Sequence, residues 1–160
     1  MKRIFVFVAV IALSLVVSGP LLAQSSPQIG TWRLNLAKSK FVNTQAPTSE
    51  TRTLEAQGDR VKYTFEGIAG DGSHFAWGFT TNYDGKDVAI SGTGAPNGAD
   101  AEAITRVDAN TFKSAMKKGG KVVQRTTAVV SNDGKVTTLT TKGTNAQGQP
   151  VSSTTVFDKQ

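Results

Sequence analysis

The chain has 160 residues, with 18 Lys and Arg against 12 Asp and Glu, a single His and no Cys. The missing cysteines exclude disulfides, thiolate metal sites and anchoring through a lipidated cysteine. A formal charge of +6 with scattered basic residues and no basic–aromatic interleaving argues against a nucleic-acid partner.

The chain opens with Lys2 and Arg3, an apolar run over 4–17 broken only by Ser14, then Ser18-Gly19-Pro20 and the small residue Ala23. This order is that of an export signal. The run falls short of the roughly 20 apolar residues that span a bilayer, so it is read as a cleaved signal peptide helix over 1–23 rather than a retained anchor. The remainder, 24–160, is then one domain. Its expected location is the periplasm or the medium, with no stable membrane insertion after cleavage. Loss of Lys2 and Arg3 lowers the charge from +6 to +4.

From Ile29 onward, short strands alternate with turn residues. Strands are expected near 30–35, 49–57, 60–67, 73–82, 86–91, 101–107, 111–117, 121–130, 135–142 and 150–158, with a short helical turn over 36–40. Gly58-Asp59, Asp84-Gly85, Gly119-Gly120 and Asp133-Gly134 supply the positive φ angles of tight hairpins. The small, polar segment 95–100 is expected to be a flexible rim loop. The pattern predicts an all-β, antiparallel up-and-down barrel of about ten strands. The chain contains 20 Thr but few large aliphatic side chains. So thin a core favours a hollow barrel over a solid sandwich, because a single wall of strands around a cavity needs less filling.

The best candidate surface comes from two consecutive strands. Val61, Tyr63 and Phe65 alternate with polar residues, as do Phe75, Trp77 and Phe79. A five-residue loop over 68–72 would pair Phe65 with Phe75, Tyr63 with Trp77 and Val61 with Phe79, all on one face. Phe112 and Met116 are expected to add to this face from across the barrel. Tyr63, Phe65, Phe75, Trp77, Phe79, Phe112 and Met116 are thus the candidate ligand-binding residues, whether as plain core or as a cavity wall.

No catalytic or metal constellation is expected. His74 falls on the face opposite the aromatic row, and no nucleophile motif accompanies it. Asp71, Asp84, Asp108 and Asp133 sit in turns where Asx hydrogen bonding explains them, and Lys86 argues against calcium at 84–87.

Gly30-Thr31-Trp32-Arg33-Leu34-Asn35 at the head of a strand meander resembles the calycin group, the lipocalins and intracellular fatty-acid-binding proteins. Continuing through Phe41, with Asn82-Tyr83-Asp84-Gly85-Lys86, Lys118-Gly119-Gly120-Lys121 and Val156-Phe157-Asp158-Lys159, the chain is similar over nearly its full length to small exported bacterial lipocalin-like proteins. The resemblance implies that Gly30 and Trp32 close one end of the barrel beneath a basic side chain from a late strand, Arg125 or Lys159. It departs from the fatty-acid-binding proteins in two ways. There is no room for a helical lid after the first strand, and the last strand lacks the Arg-x-Tyr pair that holds a carboxylate.

The resulting expectation is an exported, monomeric, non-enzymatic protein, without a cofactor, holding a small apolar or amphipathic ligand. The competing expectation is an envelope-associated interaction protein that uses the barrel's exterior around a filled interior.

Overall fold

The computed structural model describes residues 26–145 and 147–160. The expected signal segment, 1–23, lies outside the described residues. Among the described residues eleven strands form one antiparallel sheet: β1 (Gly30–Val42), β2 (Ser49–Gln57), β3 (Arg60–Ile68), β4 (His74–Thr81), β5 (Asp84–Ala89), β6 (Ser91–Thr93), β7 (Ala101–Arg106), β8 (Thr111–Lys118), β9 (Lys121–Val130), β10 (Val136–Thr144) and β11 (Pro150–Lys159). The order across the sheet is β5-β7-β8-β9-β10-β11-β1-β2-β3-β4-β6. Consecutive strands pair from β1 through β4 and from β7 through β11, as hairpin turns with positive-φ glycines at Gly58, Gly72, Gly119, Gly120 and Gly134 allow, and β11 pairs with β1. The sheet is an all-β, nearly closed up-and-down barrel.

One strand expected near 86–91 is in fact two. β5 pairs with β7, Ala89 facing Ala101, whereas β6 pairs with β4, Trp77 facing Gly92. Ile90 between them still donates to Asp100 O. Because β5 and β6 are consecutive pieces of one segment, that segment joins the two free edges of the sheet. Gly92 and Gly94, with positive φ, let β6 lie close against β4: a Cβ at Gly92 would collide with Ala76 O and one at Gly94 would meet Phe75 Cβ at 2.5 Å.

Three other expectations need correction. The strand over 30–35 extends to Val42, and the helical turn over 36–40 is instead a bulge that breaks the register between Asn35 and Lys40. Asn35 Oδ1 accepts from the Lys38 backbone N–H, and Ser39 Oγ caps the Val156 N–H at 3.0 Å, so the bulge's backbone is satisfied by side chains. The β3–β4 register lies two residues from the expected one: Phe65 faces Trp77, Tyr63 faces Phe79 and Val61 faces Thr81. The turn is centred on Asp71, whose Oδ1 accepts from the Ser73 N–H and hydroxyl, so Ile68 and His74 still pair. An even shift leaves every side chain on its expected face. Finally, 95–100 is built around a 3₁₀ turn at Pro96–Gly98, with Ala99 buried and Asp100 accepting from the Gly119 N–H.

Inward positions along each strand form one core, running from Trp32 and Phe157 through Val61 and the aromatic row to Phe112, Val130 and Leu139.

Candidate ligand-binding cavity

One end of the barrel is plugged. Trp32 is buried on β1, and its indole N–H donates to Gln28 O at 2.8 Å. Lys159 Nζ stands 5.0 Å from the Trp32 ring centroid, a cation–π contact from the last strand. Gly30 permits this arrangement: its φ is +132°, and a Cβ there would meet Lys159 Cε at 2.7 Å. The basic partner of Trp32 is therefore Lys159. Arg125 is exposed on β9, opposite Ala115 and Lys142, because its position in the alternation points outward.

Gln28, which sequence reasoning did not single out, holds the plug from within. Tyr63 donates to Gln28 Oε1 at 2.6 Å and lies 2.9 Å from the Tyr83 hydroxyl. Tyr83 reaches inward from a left-handed turn position, φ 62°, braced by its N–H on Thr81 Oγ1. Burial pushes the Tyr63 phenol well above its ordinary pKa, so the hydroxyl remains a donor. Tyr63→Phe is expected to cost about 1–2 kcal/mol, because Gln28 Oε1 loses its short buried donor and keeps only the Tyr83 hydroxyl at 3.5 Å. Urea unfolding checks this, and an unchanged midpoint would contradict it.

Above the plug lies a cavity of ≈ 370 Å³. One wall, from β3 and β4, is aromatic. Phe65 and Trp77 stack with centroids 3.9 Å apart, and Tyr63 and Phe79 stack at 4.8 Å. The facing wall, from β8 to β11, presents hydroxyls from Ser114, Thr126, Thr141 and Ser153, with Phe112 and Met116 among them. At the mouth, Gln45 donates to Gly70 O at 2.9 Å, and Pro47, Phe75 and Pro96 line the entrance. The seven residues expected to bind ligand all line this one cavity. His74 is exposed outside it.

Three charged side chains also line it. Arg52 Nε lies 2.6 Å from Glu50 Oε1, and its guanidinium carbon lies 4.0 Å from the Phe157 centroid and 5.3 Å from that of Phe65. Glu102 on β7 is 2% exposed, and its Oε2 has no hydrogen-bond partner among the described residues. Desolvation pushes its carboxyl up to about 7, against the smaller opposing pull of the Ser114 hydroxyl and the Arg52 guanidinium. Alternation held the signal for both residues. Arg52 sits between Trp32 and Phe65 in the cross-strand register, and Glu102 lies two residues from the inward Ile104.

Among the described residues no group of three or more His, Cys, Asp and Glu side chains is placed to hold a metal ion. The arrangement can enclose a small molecule, stack it against aromatic rings and offer a carboxyl and hydroxyls at its polar end.

No protein-family model matches the chain. No curated protein matches it either. Among solved structures it is similar to a de novo designed fluorescence-activating β-barrel, at 10% identity and a TM-score of 0.44, covering 88% of this chain and 100% of the designed one.

Proposed function

We propose that the chain is an exported, non-enzymatic, monomeric binding protein of the calycin kind that holds a small apolar or amphipathic ligand inside its barrel. The observation that carries this reading is the cavity of ≈ 370 Å³ between an aromatic and a hydroxyl-bearing wall. That size lies within the range of about 300–1,000 Å³ common to small-molecule sites, and its apolar lining with a few convergent polar groups is typical of them. A barrel that worked only through its exterior would have no need of this interior space, and filling it would add stability. Export is supported by the basic, apolar and small-residue order over 2–23. A binding rather than catalytic role is supported by the position of the lone His74, exposed on the outer face away from the cavity.

The chain has two tryptophans, so Trp32→Phe leaves Trp77, on the cavity wall, as the sole indole reporter. Titrating this variant with a panel of alkyl and aromatic compounds is expected to give saturable changes in Trp77 emission with at least one member. A flat response across the panel from a folded protein contradicts the reading.

A further inference from the structure

Glu50 and Arg52 neutralise each other within the cavity, whereas Glu102 forms no ion pair among the described residues. Among the described residues the only cationic side chain lining the space is Arg52, and it is already held by Glu50 and by the faces of Phe157 and Phe65. Glu102 is among the residues that line the cavity, and its Oε2, buried just behind the cavity surface, accepts no hydrogen bond among the described residues. A buried carboxyl oxygen without a donor is costly, and a ligand that supplies the donor recovers that cost on binding. A cationic donor also gains from a low-dielectric site and from the electron-rich faces of nearby rings. An anionic ligand would meet the reverse field.

Resting on the binding reading above, we infer that the ligand carries a protonated amine that donates to Glu102 Oε2 while its apolar body lies on the wall of Phe65, Trp77 and Phe79. Glu102 is thereby the residue that selects the ligand's polar end, and the aromatic wall selects its body. Burial, which holds this carboxyl up to about 7, fits the role: below that pH the amine would displace a proton from Glu102 on binding.

Calorimetric titration with a matched series tests the assignment, using a naphthyl group carrying an ethylamine, an ethanol or an acetate side chain. At pH 8 the amine is expected to bind the wild-type protein roughly ten-fold or more tightly than the alcohol, the scale of one charge-assisted hydrogen bond, with the acetate weakest. Glu102→Gln, nearly the same size and able to fold without burying a charge, should remove the preference for the amine, so that amine and alcohol bind the variant within about two-fold of each other. As a second readout, the Glu102 side-chain carbonyl ¹³C shift at pH 6 should move to its ionised value when the amine is added. If amine and alcohol bind equally and Glu102→Gln changes neither, the amine assignment is overturned while the cavity reading stands. If none of the three binds either protein, the binding reading falls and the assignment with it.

Discussion

Trp32→Ala is expected to lower the stability of the barrel by about 3–5 kcal/mol, the usual cost of emptying a large aromatic from a close-packed core. Trp32 is 3% exposed, between the Gln28 backbone carbonyl and the Lys159 ammonium. Its removal opens a cavity at the plugged end, leaves Gln28 O without its buried donor and strands Lys159 over empty space. Trp32→Phe keeps most of the ring volume while losing part of the indole and the N–H bonded to Gln28 O, so its cost should be clearly smaller. Arg125→Ala, on the outer wall, should lie within about 0.5 kcal/mol of wild type, as surface changes do. Chemical denaturation of the three variants checks the ordering. Equal losses for Trp32→Ala and Arg125→Ala would contradict the assignment of Trp32 and Lys159 as the closing pair.

The second large effect concerns pH. Glu102 titrates at about 7 in the folded chain against an ordinary value of 4.5. The folded state therefore binds more protons than the unfolded state between those values, and stability falls as pH rises through that window. The contribution is fully present below 4.5, lost progressively up to about 7 and flat above it, amounting to about 3 kcal/mol at 1.36 kcal/mol per pKa unit. Besides burial, the groups that act on Glu102 are Ser114 from β8 and Arg52 from β2, and it is coupled to Tyr63 on β3; its cross-strand neighbours, Val88 on β5 and Met116 on β8, are uncharged. Asp71, Asp84, Asp108 and Asp133 have carboxyls held below their ordinary range by turn hydrogen bonds, so their contribution is lost only as pH falls below this window. Glu102→Gln should flatten the slope between pH 5 and 8 and leave the variant more stable than wild type at pH 8. Thermal melts across pH check this, and an unchanged slope in the variant would contradict it.

The barrel and its aromatic wall are legible in the sequence because both follow from alternation, which fixes a face without fixing a register. Phe65 and Trp77 therefore share a wall even though their pairing differs by two residues from the expected one. Register itself depends on where a turn is centred, and the hydrogen bonds of Asp71 that decide this are set by local geometry. The division of 84–93 between two partners is not local at all: β5 and β6 separate because the edges of β7 and β4 must both be met. Gln28 was hidden for a related reason, lying outside any strand and gaining its role only when Trp32, Tyr63 and Tyr83 converge on it. Glu102 and Arg52 were visible in principle, as charged residues at inward positions. A charge in a strand ordinarily marks the solvent face, however, and only the closed wall turns these two toward an interior.

A hollow interior also explains the composition. Threonine and serine on β8–β11 face a space that is not filled by protein, so their hydroxyls need not displace apolar packing. The same feature separates this chain from a solid sandwich, where such inward hydroxyls would be buried against hydrocarbon at a cost.

Native mass spectrometry of the protein purified from its own host tests the occupied cavity most directly. The expected result is a population heavier than the protein by a single small molecule, released on unfolding and bearing a basic nitrogen. A ligand-free mass throughout, under conditions gentle enough to preserve non-covalent complexes, would contradict a role in holding a small molecule.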